Sequence, residues 1–176
     1  MHDLFNRVSG CCFTGHRPDA LPAFGNGETE EMQTLSYLLT RAIEAAAEDG
    51  VTEFYVGGAQ GFDTLAAECV LRAKEQHPSL SLHLALPGRN QTSGWSALDK
   101  ARYQAILDAA DEVWYAAEVC TPDSMRKRNR YLVDQTGRCI AYLRRMRGGT
   151  LYTVNYALDS GIPVDNLAER LLSLYP

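Results

Sequence analysis

A glycine-rich turn at residues 57–61 is the segment of this sequence best suited to binding chemistry. It reads Gly57-Gly58-Ala59-Gln60-Gly61, after an apolar run typical of a strand and before a stretch with helical spacing. Glycines allow the backbone to approach a ligand closely, and the first amides of the next helix attract anions. We therefore expect Gly57, Gly58, Gln60 and Gly61 to contact a ligand. The alternative is a plain connection between a strand and a helix.

A second group of polar residues follows the first predicted strand. Thr14, Gly15, His16 and Arg17 come directly after an apolar run. The guanidinium of Arg17 can hold a phosphate or carboxylate with two parallel hydrogen bonds. His16 is a candidate ligand contact or catalytic base, and its alternative is a hydrogen-bonded loop histidine.

Two further segments complete the candidate site. Asp63 falls in the first turn of the helix after the glycine turn, where a carboxylate suits ribose hydroxyls or helix capping. Gly148, Gly149 and Thr150 follow the fifth predicted strand and open another helix, so their amides are also expected to contact a ligand. The alternative there is a turn with Thr150 as the helix N-cap.

Basic residues concentrate in residues 126–147, which carry a net charge of +7 while the remainder of the chain carries −12, for a total of −5. A basic belt on an acidic protein favours a small anionic ligand or a limited nucleic-acid contact over a general nucleic-acid coat. The alternative is a solvated arginine face. Within the belt, Arg128 and Asn129 are expected to approach the ligand crevice, with Arg128 as an anion contact.

The elements that must position these residues alternate regularly along the chain. Short β-like runs are predicted at residues 10–14, 54–56, 80–86, 113–116, 139–143 and 162–164, and amphipathic helices separate them. This alternation predicts a three-layer, Rossmann-like α/β fold, with a mostly parallel sheet of five to six strands and helices on both faces. No linker or repeat interrupts it, so we expect a single domain over residues 1–176. Ligands of such sheets bind outside the carboxyl ends of the strands, where all three glycine-bearing turns are expected.

Several classes of protein are disfavoured. The glycine turn has neither the Gly-Lys-Ser/Thr of a P-loop nor the G-x-G-x-x-G of a dehydrogenase. The first residues lack the pattern of a signal peptide and no run approaches the length of a membrane span, so we expect a cytoplasmic protein without a membrane partner. The five cysteines show no metal-ligand spacing and are expected to be reduced thiols. No metal site and no nucleophile are predicted.

These motifs resemble those of the YpsA-like family of uncharacterised bacterial proteins. The resemblance rests on the segments Cys12-Phe13-Thr14-Gly15-His16-Arg17-Pro18, Gly57-Gly58-Ala59-Gln60-Gly61-Phe62-Asp63, Arg128-Asn129 and Gly148-Gly149-Thr150, in the family's order over nearly the whole chain. The family is similar to the SLOG superfamily of Rossmann-like proteins. That superfamily includes the LOG "lysine decarboxylase-like" phosphoribohydrolases and the Rossmann module of DNA-processing protein A. The resemblance implies binding of a nucleotide or a nucleotide derivative.

Binding is a better expectation than catalysis. The LOG enzymes carry a Glu shortly after their Gly-Thr pair, whereas Gly149-Thr150 is followed here by Thr153. The leading hypothesis is therefore a protein that binds or senses a nucleotide, ADP-ribose or a dinucleotide-like ligand. One alternative is a hydrolase of a nucleotide derivative that uses His16, Asp63 or Glu68 in place of that Glu. The other is a nucleic-acid-binding module, and the sequence leaves a homo-oligomer open as well.

Overall fold

The computed structural model describes residues 7–176 and contains a six-stranded sheet in which every paired strand is parallel. The expected Rossmann-like α/β class is thereby confirmed. The strands are β1 (Gly10–Gly15), β2 (Glu53–Val56), β3 (Ser81–Leu86), β4 (Glu112–Tyr115), β5 (Arg138–Tyr142) and β6 (Val164–Asn166). Their spatial order is β4-β3-β2-β1-β5-β6.

Helices cover both faces of the sheet, as the alternation predicts. They are α1 (Glu30–Glu48), α2 (Phe62–Gln76), α3 (Ala97–Ala109), α4 (Pro122–Asp134), α5 (Gly148–Asp159) and α6 (Leu167–Leu174). One face of the sheet packs against α1, α2, α3 and α6, and the other packs against α4 and α5. None of the helices in residues 7–176 is long and apolar enough to cross a membrane.

The central strand β1 shows why both faces are covered. Cys11 and Phe13 point into the core on the α1 and α2 side, while Cys12 points into the core on the α4 and α5 side. All three side chains are completely buried. Successive side chains of a strand face opposite ways, so a strand that is apolar at every position needs a helical layer on each side.

The strand order creates a crevice at one place in the sheet. From β1 the chain winds outward through β2 and β3 to β4, and then returns to place β5 on the other side of β1. The connections that leave β1 and β5 therefore depart to opposite sides of the sheet. Parallel sheets of this kind bind ligands at such a switch point, outside the carboxyl ends of the strands.

Three local features differ from the sequence-based expectations. Helix α5 begins at Gly148, with Arg147 as its N-cap, so Thr150 lies in the first turn and is not the cap. Helix α6 was not predicted, because its apolar face occupies only eight residues. The connection after β1 contains two 3₁₀ turns, in which Ala23 and Phe24 adopt left-handed backbone angles of +44° and +54°.

Candidate functional site

A cavity of about 430 Å³ opens at the switch point between β1 and β5. Volumes of this order accommodate small-molecule ligands. Residues from four separate segments form its wall, namely the ends of β1, β2 and β5 and the inner side of α4. The polar, charged and glycine residues of this wall are Thr14, Gly15, His16, Arg17, Asp19, Asp63, Arg128, Asn129, Arg145, Arg147, Gly148, Gly149 and Thr150.

The glycine turn supports this cavity from behind. The Arg128 guanidinium donates through Nη1 to the Gly57 carbonyl oxygen, and the Gln91 amide donates to the same oxygen at 3.3 Å. A Cβ atom on Gly57 would lie 2.5 Å from Arg128 Nη1 and 2.9 Å from Asp63 Oδ2. Gly57 is thus required because two buried side chains close on it. Only Ala59 of the turn reaches the cavity wall.

Contact with the β1 connection explains the last glycine of the turn. A Cβ atom on Gly61 would lie 2.7 Å from the His16 carbonyl oxygen, and its φ of +89° disfavours a side chain in any case. The next residue, Phe62, donates its backbone N–H to that same oxygen at 3.1 Å. The connections after β1 and β2 are therefore fixed against each other.

Asp63 and Arg128 place two opposite charges deep in the cavity wall. Each side chain is about 93% buried, since each residue retains 7% of its exposure. Asp63 Oδ2 accepts the Ala59 N–H at 3.1 Å, and Arg128 Nε donates to Asn129 Oδ1 at 2.8 Å. Burial raises the pKa of Asp63, and the nearby Arg128 charge and the Ala59 N–H oppose that rise. Burial likewise lowers the pKa of Arg128.

His16 joins the connection after β1 to the connection after β5 through hydrogen bonds. Its Nε2 accepts two backbone hydrogen bonds, from Arg144 N at 3.0 Å and from Arg145 N at 2.9 Å. Because Nε2 must keep its lone pair to accept them, the ring is neutral and carries its proton on Nδ1. Burial, with the Arg145 charge, lowers the pKa of His16. This geometry agrees with the hydrogen-bonded loop histidine and leaves Nε2 unable to act as a base.

We expect the hydrogen bonds that His16 accepts to contribute less to stability in acid. The pKa of His16 is lowered in the folded protein, so its contribution to stability is complete above the unfolded value of about 6.5 and declines as pH falls below it. His16→Gln retains an acceptor near the Nε2 position but does not titrate. Urea unfolding at pH 5, 6, 7 and 8 should show a steeper acid loss in the wild type than in the variant. Parallel profiles for the two proteins would contradict the assignment.

Cations dominate the open side of the cavity. Arg17 and Arg147 are exposed, and their guanidinium groups form no hydrogen bond or ion pair with any residue in the range 7–176. Arg145 is held at the rim, where its guanidinium contacts Asp19 Oδ2 at 2.9 Å and the Asp19 carbonyl oxygen at 2.7 Å. Including the deeper Arg128, the wall carries four arginines and two aspartates. The net positive charge favours an anionic ligand.

The start of α5 adds backbone donors to the same side. The N-cap residue Arg147 makes no side-chain hydrogen bond to the helix, and Gly148 and Gly149 line the cavity. Thr150 is 7% exposed and also faces it. A 12-residue helix directs partial positive charge toward whatever lies at its N-terminus.

The structure brings together ten of the fourteen residues expected at the site. They are Thr14, Gly15, His16, Arg17, Asp63, Arg128, Asn129, Gly148, Gly149 and Thr150. Gly57 and Gly58 lie behind the wall, whereas Gln60 and Gly61 line a separate cavity, in which the Gln60 side chain donates to Asp99 at 3.0 Å. Arg145, Arg147 and Asp19 line the site without having been predicted there. The signal for the two arginines was their position between a strand and a Gly-Gly-Thr helix start.

The site offers no set of metal ligands. Within residues 7–176 no group of three or more His, Cys, Asp or Glu side chains is arranged to hold a metal ion. The cysteines in that range are free thiols.

Two solved structures of DNA processing protein A share this fold. The protein from Streptococcus pneumoniae superposes with a TM-score of 0.61 at 16% identity, over 89% of this chain and 49% of the other. The Helicobacter pylori protein, whose structure concerns a single-stranded DNA binding mode, gives a TM-score of 0.60 at 16% identity, over 93% of this chain and 66% of the other. This chain thus spans between half and two thirds of those proteins, and at such identity the likeness concerns the fold alone.

Sequence relatives and a family model place the chain more closely. The SPbeta prophage-derived protein YoqJ of Bacillus subtilis, which is uncharacterised, is 31% identical over 151 residues, covering 79% of this chain and 85% of YoqJ. A UPF0398 protein of Bacillus thuringiensis is 26% identical over 151 residues, covering 84% and 82%. The model of the YpsA family, described as the YspA SLOG family, matches residues 11–160. The chain therefore belongs to the YspA SLOG family, which confirms the resemblance seen in its motifs.

Proposed function

We propose that this protein binds or senses a small anionic ligand of the nucleotide type in the cavity between β1 and β5. The observation that carries the proposal is the pair of exposed guanidinium groups, Arg17 and Arg147, which line the cavity and form no hydrogen bond or ion pair with residues 7–176. Arg147 is the N-cap residue of α5, and no side chain caps that helix start. Arginine forks and helix amides are the groups that recognise phosphate in proteins.

Binding is favoured over hydrolysis by the state of the titratable groups. His16 uses its Nε2 lone pair to hold the β5 connection. Glu68 forms an ion pair with Arg102 in a different cavity, so it does not reach the site. Asp63 is the only carboxylate of residues 7–176 that is buried in the cavity wall, and it lacks a second acid or base beside it. General acid–base cleavage of a glycosidic bond uses two such groups.

Nucleic acid is a second candidate, and a different surface favours it. Lys127 and the stacked rings of Trp114 and Tyr131, whose centroids are 3.9 Å apart, line a separate cavity with Arg126 and Arg130. Positive charge beside aromatic rings is typical of single-strand binding surfaces. A DNA-binding mode is also described for the H. pylori relative in fold. Here the two rings already stack on each other, and Lys127 Nζ lies 5.7 Å from the centroid of the Trp114 ring, which leaves less ring surface for a base and weakens this candidate.

A thermal-shift panel tests the proposal. We expect AMP, ADP-ribose or NAD at millimolar concentration to raise the melting temperature, and the double variant Arg17→Ala/Arg147→Ala to lose most of that rise. Binding at 100 times the dissociation constant stabilises by about 2.7 kcal/mol, a readily measured shift.

The matched control is Arg41→Ala, which removes an exposed arginine far from the cavity. It should shift as the wild type does. A single-stranded oligonucleotide is included at low salt, because nucleic-acid binding weakens steeply as salt increases. A shift with the oligonucleotide alone would favour the second candidate, and no shift with any nucleotide would refute the first.

A further inference from the structure

The two ends of the cavity differ in chemistry. Donors and positive charge gather at the open end, from Arg17, Arg147 and the first amides of α5. The inner end holds the buried carboxylate of Asp63. At the inner end the Arg128 guanidinium offsets the charge of Asp63, so a phosphate is attracted more strongly to the first end and an anionic ligand has one favoured direction.

One oxygen atom of the Asp63 carboxylate is free to accept a hydrogen bond. Asp63 Oδ2 accepts the Ala59 N–H, whereas Oδ1 forms no hydrogen bond with any residue of the described range 7–176. No ion pair within 4.0 Å joins Asp63 to Arg128, although both side chains are about 93% buried. A carboxylate oxygen that lines the cavity and is free to accept a hydrogen bond suits a hydroxyl group of a ligand.

A row of side chains links the two ends. From Asp63 the wall passes to Arg128, whose Nε donates to Asn129 Oδ1 at 2.8 Å. Asn129 Nδ2 in turn lies 3.7 Å from the position of a Cβ atom on Gly149, at the start of α5. The acceptor and the phosphate-binding end are thus separated by two neighbouring side chains of one helix. A phosphorylated sugar offers a hydroxyl group to the acceptor and a phosphate to the phosphate-binding end.

We infer that the ligand carries a ribose rather than a deoxyribose. Asp63 accepts a hydrogen bond from the 2′- or the 3′-hydroxyl group of that ribose. This inference rests on the proposed function, since it assigns the inner end of the same cavity. The ligand of this cavity is then a ribonucleotide or a ribose phosphate. Asp63 then selects the sugar, while Arg17, Arg147 and α5 hold the phosphate.

Calorimetric titration with paired probes tests the inference in the wild-type chain. The pairs are AMP with 2′-deoxy-AMP and with 3′-deoxy-AMP, and ribose 5-phosphate with 2-deoxyribose 5-phosphate. We expect at least one deoxy probe to bind about tenfold or more weakly than its ribose partner, the loss typical of a hydrogen bond to a charged acceptor. Equal affinities within every pair would overturn the inference and leave the proposed function standing. If no phosphate-bearing probe binds at all, both fail.

The variant Asp63→Asn provides an independent check. Its amide oxygen can still accept the Ala59 N–H, but it replaces the free anionic oxygen with an amide donor. The preference for ribose over deoxyribose should fall to about threefold or less, because the amide nitrogen that takes the place of the free oxygen cannot accept the hydroxyl proton. The control Asp49→Asn alters an exposed carboxylate that pairs with Arg138, and should keep the wild-type ratio. An unchanged preference in a folded Asp63→Asn protein would contradict the role given to Asp63.

Discussion

Gly61→Ala is expected to destabilise the protein by about 3 kcal/mol or more, as the sum of backbone strain and overpacking. The φ of +89° at this position disfavours any side chain, and the new Cβ would lie 2.7 Å from the His16 carbonyl oxygen. That oxygen belongs to the backbone and also accepts the Phe62 N–H, so it has little freedom to move. Urea unfolding followed by circular dichroism measures the change.

Gly161→Ala separates the two contributions to this effect. Gly161 has a similar φ of +74°, but no atom lies within 4 Å of its added Cβ. Its substitution should cost only about 1 to 2 kcal/mol from strain. Losses of equal size in the two variants would show that the β1 and β2 connections are not packed as described.

Arg128→Met is expected to destabilise the protein by about 3 kcal/mol at pH 7 to 8, because it leaves a buried carboxylate without its compensating charge. The Gly57 carbonyl oxygen also loses a donor. Without Arg128 the pKa of Asp63 rises further, since the Arg128 charge lowers it in the wild type. A carboxyl with a raised folded pKa costs stability as pH increases, so the deficit should be smaller at pH 5 than at pH 8.

Two comparisons make that result interpretable. The exposed neighbour Arg126 pairs with Asp123 at the surface, and Arg126→Met should change stability by no more than about 0.5 kcal/mol. Adding Asp63→Asn to Arg128→Met should recover about 1 kcal/mol or more, because the two residues interact. A deficit that is independent of pH, with additive effects in the double variant, would disprove the coupling of Asp63 to Arg128.

The sequence predicts the fold well because its signals are local. Apolar runs such as Cys11 to Phe13 and helical spacings such as that of α1 indicate strands and helices without reference to distant residues. Alternation then implies parallel strands with polar residues at their carboxyl ends. Thr121 followed by Pro122 likewise indicates the start of α4, and the structure shows a capping box there between Thr121 and Ser124.

Strand order and side-chain direction are the parts that local patterns do not encode. Only the return of the chain from β4 to β5 puts Arg145 and Arg147 beside Arg17, and that placement depends on long-range packing. The glycine turn shows the same limit. Its spacing indicates a tight turn next to a ligand crevice, but not that Arg128 fills the space in front of Gly57 or that Gln60 turns toward Asp99.

The most direct test of the central claim is to locate bound nucleotide by NMR. In a ¹⁵N-labelled protein titrated with AMP or ADP-ribose, we predict saturable amide shifts that are largest at Gly15, Gly149 and Thr150, which line the cavity between β1 and β5. Shifts concentrated instead around Trp114 and Tyr131, or no saturable shift up to millimolar ligand, would contradict the account.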